Sequence, residues 1–315
     1  MSLDAQTRSL LDQVNGKGNA KLFELSVADA RAGLKEMTLA MDAPESTISK
    51  CEERLIVGPN GEIPVRIYWP LNQSSEKALP LLILYHGGGF ALGDMETHEN
   101  MARYFCEHAS VIVVNVGYRL SPEHQFPKGV EDCYAVLCWV AESAQSLKGD
   151  PGHISVTGDS AGGNLSAVMC QLARDRCGPE IASQVLMYPS VTMALDADYE
   201  SRRQFESGYF LGLEDMSWMS GMYFDNQELQ SKDISASPIL AKNLSDLPPA
   251  LIITAGHDPL RDEGKHYAER LESAGVQVEY RCFESTIHGF MSFAGLLDVG
   301  KEGLSLVCQY LKKSQ

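Results

Sequence analysis

Three short runs of the chain are apolar at nearly every position: Leu81–Tyr85, Val111–Val116 and Ala250–Ala255. A strand with one wet face alternates apolar and polar residues, so unbroken runs of this length predict strands buried on both faces. Ile154–Thr157 and Ser183–Tyr188 read the same way. Between these runs lie stretches with helical periodicity: Thr97–Ala109, Pro127–Ser146, Leu165–Arg174, Asp262–Ser273 and a closing helix over Leu304–Lys312. Strand and helix in alternation predict a mostly parallel sheet with helices on both faces, an α/β fold. Two earlier strands, Glu53–Val57 and Pro64–Trp69, flank Gly58-Pro59-Asn60-Gly61, a hairpin signal. Gln277–Phe283 is predicted as the last internal strand.

Two segments break the alternation. Residues from Asp4 to about Ser49 carry Leu10, Leu11 and Val14, then Leu34, Met37 and Leu39, at near-helical spacing. They precede the first strand and so lie outside the sheet, free to cover something. Residues 189–248 are long for a connection and hold Tyr209, Phe210, Met216, Trp218, Met219, Met222, Tyr223 and Phe224. Part of that set must be the buried face of a helix. An insertion after a strand's C-terminal end also lies over the side where open α/β sheets bind ligands, so an apolar lid is expected. The division expected is residues 1–49 as an N-terminal cap, 50–188 and 249–315 as the core, and 189–248 as a cap insertion. No linker separates them, so they form one integrated domain.

Composition narrows the partners. The chain has 315 residues, 44% of them hydrophobic, and a formal net charge of -16. That charge argues against nucleic acid or an anionic membrane as partner. No apolar run approaches the length of a membrane helix, and Met1–Leu10 lacks the pattern of a signal peptide. A cytoplasmic location is expected. Eight cysteines are scattered without Cys-x-x-Cys, which reads as free and mostly buried thiols. No metal or cofactor motif is present: there is no His-Glu-x-x-His, no EF-hand loop and no Walker A sequence.

Chemistry concentrates in four places. Gly158-Asp159-Ser160-Ala161-Gly162 stands between a strand and a helix and matches Gly-x-Ser-x-Gly. A serine on so tight a turn needs small neighbours, and it leaves helix N-terminal amides free for an anion. A glycine-rich turn with an idle serine is the plainer reading, and the context weighs against it. His86-Gly87-Gly88-Gly89-Phe90 follows an early strand, where bare backbone amides can converge on one point. A serine hydroxyl needs a base, and the base an orienting carboxylate. Asp258 lies just past the strand Ala250–Ala255, with Asp262 one turn on as the alternative. Of the two histidines that follow, His288 sits in a loop beside Gly289, whereas His266 falls in a helical run and reads as surface. His86 reads as a residue that holds the glycine loop in shape.

These pieces, with Tyr118-Arg-Leu-Ser-Pro-Glu-His124, Asp258-Pro-Leu-Arg-Asp-Glu-Gly264 and His288-Gly-Phe290, stand in an order that resembles the hormone-sensitive-lipase-like family of bacterial carboxylesterases, within the α/β-hydrolase fold. The resemblance runs from about Gly58 to the end. It implies Ser160 as nucleophile, Asp258 as orienting acid, His288 as base, and the amides of Gly88, Gly89 and Ala161 as an oxyanion hole. It implies a cofactor-free hydrolase of esters with short to medium acyl chains, acting through an acyl-enzyme. Phe90, Tyr188 and Phe210 are expected to line the pocket. An amidase or deacetylase on the same machinery is the rival activity, and a non-catalytic ligand-binding relative is the rival class. The expected partner is a small acyl ester, and a homodimer is among the assemblies left open.

Overall fold

A computed structural model describes residues 2–16, 20–71 and 78–314. Eight strands form one sheet: β1 (Lys50–Gly58), β2 (Gly61–Trp69), β3 (Leu79–Tyr85), β4 (Ile112–Val116), β5 (Gly149–Asp159), β6 (Ser183–Met187), β7 (Ala250–His257) and β8 (Val278–Ile287). Their order is β1-β2-β4-β3-β5-β6-β7-β8. The β1–β2 hairpin turns on Pro59-Asn60, with Gly58 opposite Gly61, and both β1–β2 and β2–β4 pair antiparallel. The remaining pairs are parallel.

The apolar runs are continuous because alternate residues feed two different cores. Leu81, Ile83 and Tyr85 enter one, with Ile112 and Val114. Leu82 and Leu84 enter the other, with Val113, Val185 and Ile253. The first core is closed by α4 (Lys128–Ser143), α5 (Ala161–Asp175) and α9 (Arg261–Ser273) through Val136, Leu165 and Leu271. The second is closed by α1 (Ala5–Val14), α3 (Glu99–Ala109) and α10 (Asp298–Lys313) through Leu10, Phe105 and Val307. Four of the eight cysteines, Cys106, Cys133, Cys170 and Cys308, are buried, and Cys51 and Cys177 are exposed.

The chain departs from the sequence expectation at the last strand. β8 is an edge strand, not an internal one: among the described residues only β7 pairs with it. The N-terminal segment carries two α-helices, α1 and α2 (Val27–Met41). α1 is capped by the Asp4 side chain accepting the Thr7 amide, and α2 by Ser26 accepting the Asp29 amide. Each cap satisfies donors that a helix start leaves unpaired. Arg31 docks α2 on the core, donating to the Ala91 and Ser121 carbonyls and to both oxygens of Glu123. The 189–248 segment folds as α6 (Glu200–Gln204), α7 (Leu213–Tyr223) and α8 (Gln227–Gln230) with loops between. Its base is tied down by a buried ion pair: Arg202 donates to Glu263 of α9 at 2.6 Å, and Glu263 also accepts the Val191 amide at 2.9 Å.

Candidate active site

Ser160 sits between β5 and α5 with φ 53° and ψ -113°. A non-glycine residue in that conformation is strained and persists only where its surroundings fix it. Here the Ser160 amide donates to the Met187 carbonyl at 2.8 Å. Glycine is required on both sides. A methyl carbon at Gly158 would collide with the Gly162 carbonyl, and one at Gly162 with the Tyr85 carbonyl, 2.7 Å from its carbon.

The parallel register brings the three C-terminal strand ends into one row. Asp258 follows β7 and His288 follows β8, the neighbouring strand. His288 Nδ1 lies 2.7 Å from Asp258 Oδ2, and its Nε2 lies 2.9 Å from Ser160 Oγ. Since a carboxylate only accepts, Nδ1 carries the proton and Nε2 presents a lone pair to the serine hydroxyl. Asp258 is fully buried, and its Oδ1 accepts the Leu260 amide at 2.8 Å. The Tyr188 ring packs edge-on against the His288 imidazole at 5.0 Å.

Gly87–Gly89 approach the serine turn from β3. Gly88 and Gly89 have φ of 111° and 60°, a region glycine enters without a Cβ penalty. Among the described residues, no protein acceptor meets the amides of Gly88 and Gly89, and the Ala161 amide is in the first turn of α5. His86 donates from Nδ1 to the Gly87 carbonyl at 2.8 Å, and Tyr118 stacks on it while donating to its carbonyl at 2.7 Å. Burial, then the nearby charge of His98, pushes the His86 pKa down to about 4, so its ring is neutral.

These groups open into a cavity of about 330 Å³. Its floor is Gly87–Gly89, Ser160 and His288. Its walls are Val14, Leu22, Leu34 and Met37 from the N-terminal segment, and Phe210, Leu211 and Met219 from the 189–248 segment. Met219 lies against Gly89, where an added methyl carbon would come 2.9 Å from its Cγ.

With that geometry in hand, the chain can be set beside known proteins. A family profile described as alpha/beta hydrolase fold matches residues 82–292. A carboxylic ester hydrolase of Mycobacterium tuberculosis, LipN, is 43% identical over 271 residues, covering 84% of this chain and 70% of LipN. The carboxylesterase NlhH of the same organism is 42% identical over 290 residues, covering 90% and 88%. The solved structure of a hyperthermophilic esterase from the archaeon Pyrobaculum calidifontis matches with a TM-score of 0.93 at 38% identity, covering 99% of both chains. This chain belongs to the hormone-sensitive-lipase-like family of carboxylic ester hydrolases.

Of the residues singled out in this family member, Ser160, Asp258 and His288 lie in contact, and Gly88, Gly89 and Phe210 border the same cavity. Ala161 is next to Ser160 but buried beneath it, at 1% exposure. Phe90 and Tyr188 stand elsewhere. Phe90 stacks on Tyr223 at 4.0 Å inside the first core, and Tyr188 is wholly buried in the second. Both adjoin motif residues, but each ring is taken up by one of the two cores instead of the cavity wall. Asp262 is paired with Arg261 and accepts the Ser201 amide, and His266 is exposed. Two residues escaped the sequence reading. Asp159 and His98 bond to each other beneath the glycine loop, 61 positions apart, with no spacing pattern to announce them.

Proposed function

We propose that the chain hydrolyses carboxylic esters by acyl transfer through Ser160, with His288 as general base and Asp258 as its orienting acid. The Ser160 oxygen attacks the ester carbonyl carbon while His288 Nε2 takes its proton. Asp258 fixes the imidazole tautomer and stabilises the imidazolium. The amides of Gly88, Gly89 and Ala161 receive the oxyanion; a donor of that kind is typically worth about 100- to 1,000-fold in rate. The tetrahedral species expels the alcohol, which takes the proton from His288. Water then repeats the sequence on the acyl-enzyme and releases the acid.

The observation that carries this reading is the unbroken line from Ser160 Oγ through His288 to Asp258, at 2.9 and 2.7 Å, opening on a cavity. We assign residues 1–49 and 189–248 to a cap over that cavity, and the rest of the chain to the catalytic core. The apolar walls and a volume of about 330 Å³, near the lower bound of ligand pockets, favour short to medium acyl chains. A cytoplasmic location accords with eight unpaired cysteines; no helix among the described residues is long and apolar enough to cross a membrane. The test is Ser160→Ala against a chain-length series of p-nitrophenyl esters. Hydrolysis should drop by on the order of 10⁴-fold or more, as loss of a triad member does, and wild-type kcat/KM should fall away for long acyl chains. Retention of a tenth of wild-type activity by the variant would refute the assignment.

A further inference from the structure

We propose that His98 is a positioning residue for this reaction, forming with Asp159 a buried ion pair that fixes the glycine loop against the serine turn. The proposal rests on Ser160 being the nucleophile. Asp159 immediately precedes Ser160. Its Oδ1 accepts two hydrogen bonds, from the Gly87 amide at 2.7 Å and from His98 Nε2 at 2.9 Å. One carboxylate oxygen thus joins the turn that carries the serine to the loop that carries the Gly88 and Gly89 amides. Gly87 is pressed on that carboxylate so closely that a methyl carbon there would lie 2.8 Å from Asp159 Cγ. The 3.4 Å between the Gly87 nitrogen and His98 Nε2 is the spacing of two donors converging on one oxygen.

The charge of His98 follows from its other nitrogen. Nδ1 faces Thr97 Oγ1 at 2.9 Å. The Thr97 hydroxyl donates its only proton to the Asp94 carbonyl at 2.8 Å. Its oxygen is therefore an acceptor toward His98, and both ring nitrogens carry hydrogen. Direction of titration agrees. Burial alone would lower the His98 pKa, but the charge and hydrogen bond of Asp159, together with the charge of Asp42 and a bond to the Asp94 backbone, outweigh it and the net shift is upward. Burial would raise Asp159, but His98 outweighs it and the shift is downward. The other titratable groups facing His98 are His86, whose ring centroid is 5.6 Å away, and Asp42 at the end of α2; Asp94 of its own loop acts through its backbone.

Both members of the pair are 6% exposed. Without His98, a buried carboxylate one residue from the nucleophile would stand uncompensated beneath the site where oxyanion charge develops. The glycine loop would also lose its fixed partner. Both effects act on the transition state and spare the bound ester, so they change kcat and leave KM.

The experiment measures kcat and KM for a short p-nitrophenyl ester, and the rate of fluorophosphonate labelling, in wild type, His98→Ala, His98→Gln, Asp159→Asn and the double variant His98→Ala/Asp159→Asn. His98→Ala should lose about 10- to 100-fold in kcat, the range for an oxyanion donor displaced by a fraction of an ångström, with KM nearly unchanged and labelling slowed in step. His98→Gln, which restores a neutral donor, should recover part of the loss. The double variant should be faster than His98→Ala, because the unpaired charge is gone. The proposal is overturned if His98→Ala keeps kcat within about twofold of wild type, if the loss is in KM, or if the double variant is slower still. Should His98→Ala not fold, imidazole 15N shifts of the wild-type protein at neutral pH, assigned with His98→Gln, decide instead: a charged His98 supports the pair and a neutral one refutes it. Ser160→Ala in the same series separates the two readings: if it keeps turnover, the nucleophile assignment fails and this proposal with it, whereas lost turnover there beside an unchanged His98→Ala overturns the His98 role alone.

Discussion

Replacing Gly162 with alanine tests how tightly the serine turn is built. The added methyl carbon would lie 2.7 Å from the Tyr85 carbonyl carbon and 3.0 Å from that of His86, with the Tyr85 oxygen closer still. Carbons pack at about 3.5–4.0 Å, so α5 and β3 must part by roughly 1 Å. The atoms met are backbone atoms of Tyr85 and His86, both buried, so no flexible side chain can yield. The parting separates Ser160, at the head of α5, from the glycine loop at the end of β3. A misplacement near 1 Å costs on the order of 100-fold in rate, or about 2.7 kcal/mol of barrier. Overpacking of this kind also costs about 1–3 kcal/mol of stability. The assay is kcat/KM on a p-nitrophenyl ester beside a urea unfolding curve, with Gly221→Ala as control. Gly221 is exposed on α7 with nothing within 4 Å of an added methyl. Alanine there should stabilise by about 0.5–1 kcal/mol and leave kcat alone. If Gly162→Ala folds with more than a third of wild-type kcat/KM, the turn is not the rigid support described here.

Two further outcomes follow from buried charge. Arg202→Ala strands Glu263, whose carboxyl is fully buried and already pushed up by burial despite Arg202; loss of one partner from such a pair should cost about 3–5 kcal/mol, read as a lowered urea midpoint, and a loss below about 1 kcal/mol would show that the pair is dispensable. His86 is buried neutral with a pKa near 4, so it contributes stability above its unfolded value of about 6.5 that is lost as pH falls through about 4, by up to ~3 kcal/mol. Asp42, raised to about 6 chiefly by burial, works the other way, so the comparison is between wild type and His86→Gln at pH 7 and pH 4.5. The gap between the two proteins should narrow in acid; a constant gap would contradict the neutral buried ring.

The sheet could be read from sequence because its strands feed two cores and so leave unbroken apolar runs. The residues of the candidate site could be picked out because strained turns demand glycine in fixed places, as at Gly158 and Gly162. The cap-side residues were harder. Of the aromatic and methionine set in 189–248, Tyr223 and Phe224 serve the first core, Trp218 and Met222 pack with α2 on Ala91 and Leu92, and Phe210 and Met219 wall the cavity. Composition cannot apportion them, since each use asks only for an apolar side chain. Phe90 and Tyr188 differ from expectation for the same reason. They adjoin motif residues, but their rings pack into the two cores, a use that also asks only for an apolar side chain. The His98–Asp159 pair depends on a contact between β5's end and the loop before α3, which only the folded sheet creates.

The account depends most on which atom takes the acyl group. Brief incubation with a fluorophosphonate, digestion and tandem mass spectrometry would locate the adduct directly. The expected result is one phosphonyl group on Ser160 in wild type, and none on Ser160→Ala. An adduct on any other residue, or undiminished labelling of the variant, would contradict it.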